Sequence, residues 1–187
     1  MTTGEYLPLT SDSFYAIISY DIFKHVQDVE KVLNECFRIL KEGGKLFLVF
    51  PGIYQPLESH LGCVTKIPGL NLVFSGKTIL PAYQEIITER GQEAHWYRRK
   101  NWELEKWEKF PSLNGITVSS FRKLIKKNKR WQLDSWGKES IFSSGRSSRK
   151  IIYRLFRFLF FIPARLPILE EIFLDRVCCL LIKRTKQ

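Results

Sequence analysis

No apolar run in this chain approaches the length that crosses a bilayer. The longest, near Leu155–Ile162, is broken by Arg157, and a span needs about 20 such residues. The opening residues MTTGEYLPLTSD lack the basic-then-apolar order of a secretory leader. Cysteine is sparse. Cys36, Cys63, Cys178 and Cys179 include no C-x-x-C pair, and the adjacent Cys178 and Cys179 would face opposite sides of a strand. His25, His60 and His95 are too scattered for a zinc site. A cytoplasmic protein with reduced thiols is therefore expected. No internal repeat or low-complexity tract occurs, and no G-x-G-x-G stands anywhere in the 187 residues.

What is present has globular composition. Apolar residues make up 44% and charged residues 26%, enough for one domain with a core that needs no disulfides. The net charge of +11 favours acidic partners without choosing among phosphorylated substrates, nucleic acid and anionic lipid.

The pattern along the chain is strand, helix, strand. Phe14–Ser19, a short apolar run after Thr10-Ser11-Asp12-Ser13, predicts a buried strand. Asp28 can cap a helix from Val29, in which Val29, Val32, Leu33, Cys36, Ile39 and Leu40 recur at helical spacing. Arg38 and Lys41 are expected in its last turn and Gly43-Gly44 at its end. Lys45–Phe50 predicts a second strand, stopped by Pro51-Gly52. A helical crossover of that length joins parallel strands, so an α/β layered sheet follows. Functional groups in such sheets gather at the carboxyl ends of the strands, here Ser19-Tyr20-Asp21 and Pro51-Gly52-Ile53-Tyr54. Further on, the sequence predicts a helix over Leu80–Arg90, another capped by Thr117 or Ser119 and running to Asn128, and a strand over Arg130–Trp136. Then come a helix over Lys150–Ile162, a helical turn or two over Ile168–Phe173 and a last strand over Asp175–Lys183.

The segment Leu7–Gly52 resembles the second half of a class I S-adenosylmethionine-dependent methyltransferase domain, nearest the type-11 group of small-molecule enzymes. The landmarks are Leu7-Pro8-Leu9, Ser13-Phe14, Tyr20-Asp21-Ile22-Phe23-Lys24-His25-Val26, Asp28, Arg38–Lys45 and Phe50-Pro51. The resemblance implies a partial Rossmann-like sheet, strands four to seven of the family's seven, mostly parallel with an antiparallel last strand and helices on its faces. It implies one shortened domain over 1–187, with 55–116 as a substrate-side cap within it. The family's glycine-rich cofactor loop lies upstream of the matched part. Thr3, Tyr15 and Lys24 stand where the family usually has acids.

The same resemblance supplies site residues. Ser19, Tyr20 and Asp21 face the methionine end of S-adenosylmethionine, Glu5 and Tyr6 sit where the family lines the adenine, and His25 aligns with a family histidine that packs the loop, caps the helix or faces substrate. His60, beyond the second strand, is the candidate base for a hydroxyl acceptor. Methyl transfer needs mainly alignment, so no dedicated base is required. The complete form is expected to methylate O, N or C of a small-molecule acceptor, and this chain alone to be inactive. Without strands one to three, the edge of Phe14–Ser19 is left open, to be covered by an upstream half-domain or by a second copy.

Two stretches carry other readings. Trp96–Trp107, with three tryptophans among Arg98, Arg99, Lys100 and Lys106, fits a cap over the site better than a platform for nucleic-acid bases, because Glu103, Glu105 and Glu108 dilute the charge. Nucleic acid is thus not the expected partner. Arg146, Lys150, Arg154 and Arg157 form one basic helical stripe beside Ile151, Leu155 and Phe158. The alternative function is therefore a non-catalytic interaction module whose helix at 146–162 lies on an anionic membrane surface, giving peripheral membrane association.

Overall fold

The computed structural model describes residues 4–56, 61, 64–90, 113–141 and 169–185. In chain order the elements are β1 (Phe14–Tyr20), α1 (Val29–Ile39), β2 (Leu40–Phe50), α2 (Leu70–Val73), α3 (Gly76–Arg90), α4 (Val118–Lys127), β3 (Trp131–Ser140), α5 (Glu170–Phe173) and β4 (Leu174–Lys183). The sheet has four strands in the order β1-β2-β4-β3. β1 and β2 are parallel, and β4 runs antiparallel to both β2 and β3. The expected α/β sheet with an antiparallel last strand is the architecture observed. The predicted helix over Lys150–Ile162 lies outside the described residues.

α1 starts where Asp28 caps it, the carboxylate accepting from Lys31 N–H at 3.0 Å. It ends at Ile39, four residues before the glycine pair expected to stop it. Lys41 consequently belongs to β2 and not to the last helical turn. The reason is a cap supplied from elsewhere in the chain. Asp12 and Ser13 N–H donate to the carbonyls of Arg38 and Ile39 at 3.0 and 2.9 Å, satisfying acceptors that a helix end otherwise leaves orphaned. The chain passes straight into β2, and Gly43-Gly44 serves a different purpose there. Between the pairs Phe14↔Leu40 and Ala16↔Lys45, β2 advances five positions while β1 advances two. Gly43 takes φ +70° in this bulge, and a Cβ at Gly44 would lie 2.7 Å from the carbonyl of Lys41.

α1 and α4 cover one face of the sheet. Leu46, Leu48 and Phe50 pair across the ladder with Leu181, Cys179 and Val177, and all six are buried in one cluster with Leu33, Cys36 and Phe121. Phe121 meets the Phe50 and Phe23 rings edge-on at 4.8 and 6.1 Å. The alternate positions point the other way and are less covered: Ile18 is 75% exposed and Phe47 38%. A smaller cluster of Ile53, Leu61, Val64, Ile79, Leu80, Tyr83 and Leu113 stands beyond the carboxyl end of β2. α4 is closed by a reciprocal cap between Thr117 and Ser120.

The segment before β1 is pinned along α1. Glu5 accepts from Asp28 N–H at 2.8 Å. Glu35 accepts from Leu7 N–H at 2.8 Å and from Arg38 Nη2 at 2.7 Å. The Arg38 guanidinium, followed by the Leu7 amide, holds the Glu35 carboxyl below its ordinary value of 4.5. At the far end Lys183 Nζ donates to the carbonyl of Leu40 and to Asp12, each at 2.6 Å. Among the described residues, no helix is long and apolar enough to cross a membrane.

Phe121→Ala removes the aromatic that joins α4 to the sheet, and a loss of about 3–5 kcal/mol is expected in urea unfolding. The Glu35 contribution has a defined pH window. Because the folded carboxyl titrates below its unfolded value, its stabilisation is complete above the ordinary glutamate range and is lost as pH falls through the lower folded value. Urea midpoints measured between pH 6 and pH 3 should therefore fall more steeply for the parent than for Glu35→Gln, as about-unit-spaced points suffice to show.

Candidate functional site

The carboxyl ends of β1, β2 and β3 meet the start of β4. Asp21, the first residue past β1, takes φ 59°. Its N–H donates to the carbonyl of Val49 at 2.8 Å. Its carboxylate pairs with Arg176 at 3.0 Å, and the Arg176 guanidinium lies 4.7 Å from the centroid of the Tyr20 ring. Next to Arg176, Asp175 accepts from Gln55 Nε2 at 2.9 Å, with Gln55 fully buried. The two pairs adjoin through the consecutive residues Asp175 and Arg176 and make up the polar floor of the strand ends. Arg176 thus pairs with Asp21 and also lies over the Tyr20 ring.

The loop after β1 is fixed from a distance. Asn114 Nδ2 donates to the carbonyls of Phe23 and Val26 at 2.6 and 2.8 Å, and Asn114 N–H donates to the carbonyl of Lys24 at 2.9 Å. This clamp sets the path from Asp21 to the N terminus of α1.

Six of the sequence-derived candidates lie among the described residues. Ser19 is buried at the end of β1, with Tyr20 and Asp21 beside it. His25 is exposed on the clamped loop, its N–H donating to the carbonyl of Ile22 at 2.8 Å. Glu5 holds the Asp28 amide at the N terminus of α1. Tyr6 follows it and is 73% exposed. Ser19, Tyr20 and Asp21 are thus brought together, and Glu5 anchors the neighbouring helix end. His60 lies outside the described residues, as do Trp96–Trp107 and 146–162. Sequence reading missed Gln55, Asn114, Asp175 and Arg176. One signal was available for the last pair. Two charges open an otherwise apolar strand, and an antiparallel strand begins where its parallel neighbours end.

Two of the described thiols, Cys36 and Cys179, are buried. Burial pushes Cys36 up to about 11 and Cys179 up to about 12, so neither is a thiolate near neutral pH. Among the described residues no group of three metal-ligating side chains occurs. At this strand end the Tyr20 ring is the accessible group, 57% exposed, while Arg176 is buried against Asp21.

A family model described as a methyltransferase domain matches residues 1–48. No curated protein matches the chain. Among solved structures, one from Listeria monocytogenes, provisionally described as an S-adenosylmethionine-dependent methyltransferase, aligns over 98% of this chain and 68% of its own, with 10% identity and a TM-score of 0.51. A SAM-dependent methyltransferase from Methanosarcina mazei aligns over 99% and 66%, with 14% identity and a TM-score of 0.47. A third, from Galdieria sulphuraria and provisionally described as a sarcosine dimethylglycine methyltransferase, aligns over 98% and 58%, with 16% identity and a TM-score of 0.47. The chain thus spans between 58% and 68% of these structures' lengths. The α/β fold is similar to that of part of the Listeria monocytogenes structure, and the methyltransferase-domain pattern lies on the segment that contains β1, α1 and most of β2.

Asn114→Ala should unclamp the loop without touching the core. Hydrogen exchange of the His25 and Val26 amides is expected to quicken by about tenfold or more, while core amides of β2 hold their rates.

Proposed function

We propose that this chain is the acceptor-side part of an S-adenosylmethionine-dependent methyltransferase for small molecules, and that a complementing half grips the methyl donor. The observation that carries this reading is the β1–α1–β2 unit. It bears the methyltransferase-domain pattern over residues 1–48, delivers Ser19, Tyr20 and Asp21 to a strand end, and leaves β1 at the edge of the sheet.

The residues present suit the donor in part. Ser19–Asp21 offers backbone groups at a strand end, and Tyr6 is exposed for stacking on a purine. Glu5, however, is engaged with the Asp28 amide and Asp21 with Arg176. These side chains make one wall of a donor site and no phosphate- or ribose-gripping glycine loop. When bound, the donor supplies an electrophilic methyl group on a sulfonium. The chain's own part is to hold an acceptor atom in line with it, which alignment alone can accomplish. Within this reading 55–116 is the acceptor-side cap, and His60 takes the proton where the acceptor is a hydroxyl. The complement covers the β1 edge, either as an upstream half-domain or as a second copy, and the assembly works in the cytoplasm.

Calorimetric titration with S-adenosylmethionine tests the split. The chain alone should show no micromolar binding, and co-expression with an upstream half-domain carrying a glycine-rich strand–loop–helix should restore it. A monomeric chain that unfolds cooperatively and binds the donor at micromolar affinity unaided would overturn the need for a complement.

A further inference from the structure

The stretch after β2 exposes more apolar surface than a water-facing loop needs. α2 is only four residues long, and its surroundings present Ile67 at 62% exposure, Val73 at 76% and Phe74 at 49%. Lys66 and Lys77 flank this tip and are exposed. Directly behind it lies a cavity of about 290 Å³, walled by Leu61, Val64, Leu70, Phe74, Ile79 and Tyr83. Two of those walls, Leu70 and Phe74, belong to the tip itself. The volume falls just below the roughly 300–1,000 Å³ typical of ligand pockets, so the cavity suits one chain or ring system and no polymer. The cluster that holds it also contains Ile53, three residues past β2, which ties the cavity to the carboxyl end of the sheet.

We propose that this tip seats on an anionic lipid surface and that the cavity behind it takes the apolar chain of a membrane-resident acceptor. The claim deepens the methyltransferase reading and rests on it for the word acceptor. Charge selects this occupant. Apolar side chains rimmed by lysines, on a chain of net charge +11, match a negative headgroup layer over hydrocarbon. The shared use of Leu70 and Phe74 places the mouth of the cavity at the docked surface, because residues that enter the interface also bound the cavity.

Co-sedimentation of the full chain with vesicles of phosphatidylcholine and phosphatidylglycerol tests the tip. The parent should bind, vesicles of phosphatidylcholine alone should bind it less, and the pair Ile67→Asp and Val73→Asp should lower partitioning by about tenfold or more. Uptake of phenylnaphthylamine, an apolar dye that brightens out of water, tests the cavity. Ala82→Phe, at a position lining the cavity, should abolish uptake while vesicle binding persists. Vesicle binding that survives the Asp pair overturns the proposal. So does a concentration-dependent dimer that the pair dissolves in the absence of lipid, since a second copy would then be the occupant. Neither assay contains a methyl donor. A chain that passes both yet never binds S-adenosylmethionine with any complement would sink the methyltransferase reading and leave the lipid site standing.

Discussion

The antiparallel insertion of β4 between β2 and β3 sets where the polar groups of this molecule end up. A strand running against its neighbours begins where they finish, so Asp175 and Arg176 arrive at the carboxyl ends of β1 and β2. The same strand delivers Lys183 to the opposite end, against the Leu40 carbonyl and Asp12. Register is as strict as direction. Phe50↔Val177 and Leu48↔Cys179 place the buried series under α1 and α4. A slip of one residue would turn Cys178 and Leu180 inward and carry Arg176 away from Asp21. Core packing and site assembly are thus one requirement, imposed by a single ladder.

The elements governed by local chemistry were legible. Asp28 capping α1, the helical spacing from Val29 to Ile39, a cap for α4 at Thr117 or Ser119, of which the fold uses Thr117, and the apolar run of β4 were all readable from neighbouring residues, as was the strand–helix–strand order that implies a parallel pair. The glycine pair misled because the cap of α1 is not local. The amides of Asp12 and Ser13, more than twenty residues earlier in the chain, take the carbonyls a glycine would otherwise have left to water. The site partners were hidden for the same reason. Asn114 reaches a carbonyl 91 positions away and Gln55 a carboxylate 120 positions away. Local pattern shows that a loop exists at a strand end, whereas the groups that fix its shape depend on the packed fold. Glu5 shows the converse case. Family likeness points it toward a ligand, and the fold gives it a backbone amide to hold.

The two sides of the sheet are unequally finished. The face under α1 and α4 is closed by Leu33, Phe50 and Phe121, all essentially inaccessible. β1, in contrast, reads FYAIISY and carries none of the lysines or prolines by which natural edge strands discourage pairing. Lys41 lies 3.9 Å from the centroid of the Tyr15 ring, yet Tyr15 and Ile18 are each 75% exposed and Tyr20 57%. Apolar area is worth roughly 25 cal/mol per Å² when buried. An edge that is both hydrogen-bond competent and apolar therefore has two reasons to take a partner, and its ladder groups give that partner a direction.

Continuity between the open tip and the polar floor follows from a short series of contacts. Gly69, held at φ +73° next to α2, donates its N–H to the carbonyl of Pro56 at 3.3 Å. Pro56 follows Gln55, which is anchored on Asp175, and Asp175 adjoins the Arg176 that holds Asp21. The floor end of this series is buried, polar and paired, so its position is costly to change. The tip end is apolar and exposed, so its surroundings decide its position. A molecule held at the tip is therefore referenced to a fixed point at the strand ends. Under the proposed function, where aligning two bound partners is the main requirement, a paired polar anchor at the strand ends beside an exposed apolar tip meets it.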